Sequence, residues 1–258
     1  MSCSFSLSVG LMSLPQTNLQ LYQCLSRQRA SVADLGQVRA AYDVATRLFG
    51  DCVRPSHKPF VCHLVGTAGA LALWQQELPV VIAGLLHSVY LFGRFDDGDR
   101  GPTARRRAWL RSNVGDDVEN LVWCYSTMSW DQPIKDVRSL ARADVGFRKL
   151  VTVKFADQFE ELSDGGSRYS LEKPGLFGLR NGKDGSQVLV NAVAEVVHDD
   201  AARQFCTAWQ MTREMDVPDI LKTDDRSFQV VRAGVEQLRR NKVRQRLLKW
   251  SRKIRRVA

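Results

Sequence analysis

His87 is a titratable residue in a stretch of the chain that is mostly apolar. The stretch runs from Val80 to Phe92 and is almost unbroken. Burying an imidazole among such residues costs about 1–3 kcal/mol unless another group bonds to it. His87 therefore needs a partner, and the sequence alone leaves open whether that partner is a hydrogen-bonding group, a carboxylate or a metal ion.

The elements that would position His87 and its partners are predicted to be helices. Pro59 and Pro79 each suit the first turn of a helix, and apolar residues recur at a helical period between positions 145 and 162. Strand-like alternation is nearly absent, so the sequence predicts an all-α fold. Three of the predicted helices carry residues with metal-binding capacity: 59–74 with His63, 79–92 with His87, and 145–162 with Asp157.

Five segments of the chain follow a known order of motifs. They are Arg54, His63, Ala83-Gly-Leu-Leu-His87-Ser88, Val114-Gly-Asp-Asp-Val-Glu-Asn-Leu-Val122 and Lys154-Phe-Ala-Asp157-Gln. In order and spacing they resemble the HD-domain superfamily, and within it the RelA/SpoT-type hydrolases of ppGpp and related nucleotides, over roughly residues 35–165. The patterns His63-Leu-Val-Gly-Thr67 and Gly84-Leu-Leu-His87-Ser-Val-Tyr90 also resemble a branch of HD-like proteins that carries serine after the second histidine.

The resemblance implies an HD-domain-like helical bundle and a metal-dependent phosphohydrolase that acts on a phosphorylated small molecule or nucleotide. It also implies that His63, His87 and Asp157 hold a divalent ion. Two imidazoles and a carboxylate are compatible with Mn²⁺, Fe²⁺ or Zn²⁺ and leave coordination positions open for water or substrate. Arg54 would then neutralise the phosphate, and the Ser88 hydroxyl would orient a water molecule.

The chain departs from the hydrolases at two places that matter for activity. Ser88 stands where they have a metal-binding aspartate, and Leu91 and Phe92 replace the Glu-Asp pair that serves the attacking water. A second hypothesis is therefore a catalytically degenerate, metal-free HD-like scaffold or regulator, in which His87 bonds to Asp157 or to a backbone carbonyl. A third, weaker hypothesis is an HD-type Fe(II) oxygenase, although such enzymes usually hold two irons with more histidines than this chain supplies.

Several candidate residues also have a purely structural interpretation, and His63 could be a core histidine whose hydrogen bonds are satisfied within the protein. Asp157 could pair with Lys154, three residues earlier on the same helix, and Arg54 could pair with a core carboxylate. His57 and Tyr90 are further candidates for the site. His57, however, stands close to two prolines and also fits an exposed loop.

The chain is predicted to have three parts. Residues 1–34 form an N-terminal segment with a short helix, residues 35–225 form the HD-like helical domain, and residues 226–258 form a basic amphipathic C-terminal helix. The domain contains a loop at 163–186 with six glycines. A loop of this length is typical of a disordered insert or of a lid over a site.

The C-terminal residues 239–256, here called the basic tail, differ in charge from the rest of the chain. Residues 239–256 carry ten Lys and Arg residues and no acid, whereas the net charge of the whole chain is +9, so the remainder is close to neutral. The helical spacing of Val243, Leu247, Trp250, Ile254 and Val257 predicts a narrow apolar stripe. This stripe favours contact with an anionic membrane through Arg246, Lys249, Trp250, Arg252 and Lys253. Packing on the protein's own body is the structural alternative, and binding to a nucleic-acid backbone ranks narrowly below the membrane.

Composition bears on the compartment in which the protein works. No apolar run reaches the ~18 residues needed to cross a bilayer, and the first residues lack the basic region of a secretory signal. The six cysteines include no CxxC pair, which favours reduced thiols over a disulfide framework or a thiolate zinc site. We expect a cytoplasmic protein that the basic tail can bring to a membrane surface.

Overall fold

A computed structural model describes residues 14–54, 56–95, 100–169 and 187–222 and, for the backbone alone, residues 183–186 and 231–232. Those residues are largely helical, which confirms the predicted all-α fold. The helices are α1 (Asn18–Arg27), α2 (Val32–Phe49), α3 (Phe60–Leu73), α4 (Leu78–Leu86), α5 (Val89–Phe92), α6 (Ala104–Val114), α7 (Asp116–Thr127), α8 (Ile134–Ala143), α9 (Val145–Ser163), α10 (Lys183–Val196) and α11 (Asp199–Glu214). Short 3₁₀ turns occupy Gly166–Arg168 and Asp219–Leu221.

The core is organised around α3, which is buried on almost every side. Its glycines and alanines leave room for neighbouring segments to approach closely. A side chain at Gly69 of α3 would collide with Pro15, and one at Gly84 of α4 would collide with Leu71 of α3. In addition, α9 packs against both α3 and α4. These contacts place the three helices that carry or adjoin the candidate ligands against one another.

The helix predicted for residues 79–92 is interrupted at a candidate ligand. α4 ends at Leu86, His87 and Ser88 form a turn, and the short α5 begins at Val89. At the interruption, the His87 imidazole makes a hydrogen bond with the carbonyl oxygen of Gly84, which lies in the last turn of α4. The prediction of one continuous helix is therefore wrong at these two residues.

A small antiparallel strand pair joins the chain before α3 to its C-terminal part. The strands are β1 (Cys52–Val53) and β2 (Val231–Arg232). The prediction of a continuous helix over 226–258 is wrong at residues 231–232, because β-branched valine favours a strand and β1 offers an edge for hydrogen bonding. Other residues of 226–258 lie outside the described part of the chain, among them Arg246, Lys249, Trp250, Arg252 and Lys253.

The boundaries predicted between parts of the chain differ from those in the structure. α1 contributes to the same core as α2 and α3, and the boundary predicted after residue 34 falls inside α2. α9 and α10 extend from both ends into the loop predicted at 163–186. Residues 1–13 and 170–182 lie outside the described residues. None of the helices within the described ranges combines the length and the apolarity that crossing a membrane requires.

Candidate metal centre

Three side chains, from α3, from α9 and from the turn after α4, converge on one point in the interior. Nε2 of His63 lies 3.3 Å from Oδ1 of Asp157, and Nε2 of His87 lies 3.7 Å from the same oxygen. The two imidazole rings meet edge to face, with centroids 5.3 Å apart. One ligand atom from each residue lies within 4.8 Å of the others. The structure thus brings together the three residues that the sequence predicts as metal ligands.

The spacing of these atoms suits a divalent ion. Ligand nitrogens and oxygens lie about 2.1 Å from a bound zinc ion, so two ligands of a tetrahedral ion are about 3.4 Å apart. The two nitrogen–oxygen distances, 3.3 and 3.7 Å, are close to that value. A divalent ion could therefore contact all three residues after only small side-chain shifts.

In each ring, the hydrogen bond made by Nδ1 determines whether Nε2 is available to bind an ion. Nδ1 of His87 lies 2.7 Å from the carbonyl oxygen of Gly84, and because a carbonyl only accepts, we assign the proton to Nδ1. Nδ1 of His63 lies 2.5 Å from Oε2 of Glu160, a carboxylate, and receives the same assignment. When neutral, imidazoles held in this way present the Nε2 lone pair towards Asp157, as metal-binding histidines do.

Nε2 of His63 is buried and makes no hydrogen bond to any residue that the structure describes. Oδ1 of Asp157 is close, but the geometry is not that of a hydrogen bond. Buried polar atoms in proteins nearly always have a partner. A cation is the partner that the surroundings fit, because the neighbours of this nitrogen are a carboxylate oxygen and the imidazole of His87.

Asp157 is held so that one of its oxygens remains for the histidines. Oδ2 accepts hydrogen bonds from the Tyr125 hydroxyl at 3.1 Å and from Nζ of Lys154 at 2.8 Å. Burial raises the pKa of Asp157, but Lys154 and the nearby imidazoles outweigh it and hold the pKa well below its usual range. The side chains of Asp157 and Lys154 are 17% and 18% exposed, so the cluster reaches solvent on this side.

The two histidines differ in their tendency to carry a proton. Burial lowers the pKa of His87 to about 4, so its imidazole is neutral at neutral pH. Burial and the Arg54 guanidinium also lower the pKa of His63, but the carboxylates of Glu160 and Asp157 outweigh them, and its pKa is raised. His63 can therefore keep a proton between two carboxylates when no cation is bound, and a metal ion has to displace that proton.

A second pair of acidic residues, Glu160 and Glu161, lies close to His63. Nζ of Lys58 bonds to Oε1 of the buried Glu160, and Nη2 of Arg54 lies 2.7 Å from Oε2 of Glu161. Burial raises the pKa of Glu160, but His63 and Lys58 lower it below its usual value; burial raises the pKa of Glu161 even against Arg54. His63, Glu160 and Glu161 are also close enough to share an ion. Both oxygens of Glu160 are engaged, by Nδ1 of His63 and by Lys58, whereas both hydrogen bonds to Asp157 described above go to Oδ2, so the group with Asp157 is the better metal site.

The two residues predicted to assist catalysis lie beside the cluster. Arg54 is buried and pairs with Glu161, which is the structural alternative that the sequence left open. Its charge nevertheless acts to lower the pKa of His63, so it lies near a proposed ligand. Ser88 is buried in the turn directly after His87.

The second-tier candidates lie elsewhere. The Tyr90 hydroxyl donates to Oε1 of Glu119 at 2.9 Å, in a different buried cluster. His57 is exposed in the loop before α3, with a left-handed φ of 63°. His198, which Asp199 follows in a second His-Asp pair of the sequence, accepts the backbone N–H of Ala201 and caps α11. In the described part of the chain, none of the three bonds to the proposed ligands.

Sequence reasoning missed three residues of the cluster: Glu160, Tyr125 and Lys58. A signal for Glu160 does exist, because Asp157 and Glu160 are three residues apart and so share a face of α9, and Asp164 follows four residues later at the C-cap. Carboxylates at that spacing on a mostly buried helix need partners inside the protein. Tyr125 and Lys58 carry no comparable signal, since the groups that they bond to are distant in sequence.

Comparison with protein families gives a match within the first half of the chain. A family model described as a domain of unknown function (DUF6817) matches residues 44–129, about a third of the sequence. The chain is similar to that family over a segment that contains His63 and His87 but not Asp157. No curated protein matches the chain.

Proposed function

We propose that this protein is an HD-type, metal-dependent phosphohydrolase that acts on a phosphorylated small molecule or nucleotide. The observation that carries the proposal is the placement of two imidazole Nε2 atoms, from His63 and His87, around Oδ1 of Asp157. The resemblance of the motifs to the RelA/SpoT-type hydrolases supports the same class of reaction.

The ligand set fits a divalent ion such as Mn²⁺, Fe²⁺ or Zn²⁺. When bound, such an ion would neutralise phosphoryl charge and lower the pKa of a water molecule. His63 and His87 would supply nitrogens from the interior, and Asp157 would supply an oxygen from the side that reaches solvent. Three protein ligands do not complete a coordination sphere, which leaves room for water and substrate.

Two cations and a hydroxyl would assist the reaction. Lys154 lies next to Asp157 on the solvent side and can attract an anionic substrate, whereas Arg54 contributes its charge from a buried pair with Glu161. Ser88 would orient a water molecule, since a neutral hydroxyl donates and accepts hydrogen bonds but binds metal poorly. The role of Arg54 follows from the resemblance.

Metal analysis of the purified protein tests the proposal. We expect about one Mn²⁺, Fe²⁺ or Zn²⁺ per chain, as this ligand set can hold, and loss of that ion in His87→Ala. His57→Asn is the matched control, because it removes an exposed imidazole and asparagine tolerates a left-handed backbone. The metal-loaded protein should release phosphate from a member of a panel of phosphorylated metabolites and nucleotides. A site that stays empty at saturating added metal would overturn the proposal.

A catalytically degenerate scaffold is the second candidate, and a particular observation favours it. Burial lowers the pKa of His63, but the flanking carboxylates raise it overall, so a proton could take the place of the ion. Ser88, Leu91 and Phe92 also stand where the hydrolases have carboxylates. For this candidate we expect neither metal uptake nor phosphate release from a protein that unfolds cooperatively.

A further inference from the structure

The carboxylate of Glu160 binds His63 at the ring nitrogen that does not face the proposed ion. Oε2 accepts the Nδ1 proton of His63 at 2.5 Å, and Oε1 is bonded by Nζ of Lys58. Nζ of Lys58 also lies 2.5 Å from Oδ2 of Asp164, whose side chain is 41% exposed. A continuous chain of charged groups thus runs from an exposed aspartate, through a lysine and a glutamate, to the buried histidine.

We propose that Glu160, anchored by Lys58, is a positioning residue that fixes the tautomer of His63 and sets the affinity of the metal site. The inference rests on the proposed function, because it concerns the same ion. A carboxylate that accepts the Nδ1 proton holds the imidazole in one orientation and makes Nε2 a stronger ligand. Glu160 acts through His63 and is not itself a ligand, since both of its oxygens have partners.

The burial of Glu160 indicates a role beyond packing. The side chains of His63 and Glu160 have no solvent-exposed surface, so water screens their interaction little. Burying a carboxylate carries a desolvation penalty that its partners must offset, and apolar residues of similar size would fill the same space without it. A charged partner for the histidine at this position is therefore expected where the tautomer of the imidazole matters for function.

A tight turn before α3 positions Lys58 next to Glu160. The backbone N–H of Arg54 donates to the carbonyl oxygen of Lys58 at 2.9 Å, and the N–H of His57 donates to the carbonyl oxygen of Arg54 at 2.8 Å. The same turn directs Arg54 to Glu161. Two adjacent acids of α9 therefore meet two cations of one turn, which holds Glu160 in a fixed position relative to α3.

Titration of the full chain with Co²⁺ tests the inference, because the visible spectrum of bound Co²⁺ reports on its ligands. Glu160→Gln keeps the size of the side chain but loses its charge, and we expect about 10-fold weaker binding and a shifted spectrum. Glu160→Ala leaves Nδ1 of His63 without its acceptor, and we expect about 100-fold weaker binding. Asp43→Asn is the control, since it also removes one carboxylate charge, but from an exposed ion pair with Arg39 on α2, and it should bind Co²⁺ as the unaltered protein does.

A double variant separates positioning from folding. Glu160→Gln alone removes the buried charged partner of Lys58, whereas Lys58→Met/Glu160→Gln removes both charges; it should regain stability yet still bind Co²⁺ about 10-fold more weakly than the unaltered protein. Unchanged affinity and spectrum in Glu160→Gln and in the double variant would overturn the inference and leave the proposed function standing. Failure of the unaltered protein to bind Co²⁺, Mn²⁺ or Zn²⁺ would instead overturn the proposed function.

Discussion

Gly66 lies opposite Glu160 at the contact between α3 and α9. A Cβ built on Gly66 would lie 2.5 Å from Cγ and 2.7 Å from Oε1 of Glu160, which is too close for either atom. Gly66 follows His63 by one helical turn, so the space that it leaves lies beside the imidazole that Glu160 reaches. The glycine of His63-Leu-Val-Gly-Thr67 therefore has a steric explanation, because it admits a carboxylate to the buried histidine.

Gly66→Ala should displace the Glu160 carboxylate. Overpacking of this kind lowers the free energy of unfolding by about 1–3 kcal/mol, which exceeds the ~1 kcal/mol that alanine gains over glycine inside a helix. We expect a lower urea midpoint and, because His63 loses its acceptor, weaker Co²⁺ binding. Urea denaturation and the Co²⁺ titration measure the two effects on the same samples.

Gly36 provides the control for that variant. It lies on α2, and a Cβ at this position would meet nothing within 4 Å. Gly36→Ala should raise the free energy of unfolding by about 0.5–1 kcal/mol and leave Co²⁺ binding unchanged. If Gly66→Ala were as stable as Gly36→Ala, the steric explanation of Gly66 would be wrong.

Sequence patterns predict the helices of this protein better than they predict how the helices pack. α9 begins at the predicted Val145 because its apolar period is a local property of the chain. The contact of Glu160 with His63 joins residues 97 positions apart and depends on how α9 lies against α3. The period of one helix carries no information about that arrangement, so the role of Glu160 became visible only in the structure.

The residues around His87 show that prediction from sequence is also limited for residues that are close together in the chain. His87 and Tyr90 are three residues apart, and on a continuous helix they would share a face. The turn at His87 and Ser88 separates α4 from α5, and the Tyr90 hydroxyl reaches Glu119 instead of the cluster. The order of the motifs suffices to propose the ligands, but a two-residue turn decides where the next polar side chain goes.

The buried charges of Arg54 and Glu161 should each depend on the other for the stability of the fold. The two side chains are 4% and 12% exposed. Removing one partner of a buried ion pair costs about 3–5 kcal/mol, because the other charge is left in the interior. We expect Arg54→Met to lose this much free energy of unfolding and Arg54→Met/Glu161→Met to recover most of it, as a urea double-mutant cycle would measure. A fully stable Arg54→Met without phosphohydrolase activity would assign Arg54 to the substrate instead.

Glu119 should stabilise the fold without affecting the metal site. Its carboxylate accepts hydrogen bonds from the Tyr90 hydroxyl, twice from Arg107 and once from Arg111. Glu119→Gln should lower the free energy of unfolding by about 2–3 kcal/mol, less than for a fully buried pair because Arg111 is 42% exposed. The Co²⁺ affinity of Glu119→Gln should equal that of the unaltered protein, and a clear loss would place this cluster in the site.

The contribution of Glu119 should also depend on pH in a definite direction. Burial raises its pKa, but the bonds from Arg107 and Tyr90 and the charge of Arg111 outweigh it, so the folded pKa lies below the unfolded value of about 4.3. A lowered folded pKa means that the stabilisation is complete above the unfolded pKa and is lost as pH falls through the folded one. The stability difference between the unaltered protein and Glu119→Gln should be constant from about pH 5 to 8 and shrink below about pH 4. Urea melts across this range measure it, and a difference that grew on acidification would reverse the expected sign.

The basic tail should bind anionic membranes independently of the metal site. Residues 239–256 carry ten cationic residues and no acid, on a protein whose remainder is close to neutral. Each Lys or Arg near an anionic surface contributes about 1 kcal/mol, and the attraction decays within a Debye length. We expect the full chain to co-sediment with anionic vesicles and not with neutral ones.

A chain ending at Gln237 is the informative comparison for the tail. It lacks the basic residues but retains β2, whose partner β1 directly precedes Arg54. We therefore expect it to keep its thermal transition and its Co²⁺ affinity and to lose vesicle binding. For the full chain, high salt should weaken binding without abolishing it, because salt does not screen the burial of Leu247, Trp250 and Ile254 in the interface. Loss of the thermal transition in the shortened chain would show instead that the tail packs on the body as a structural element.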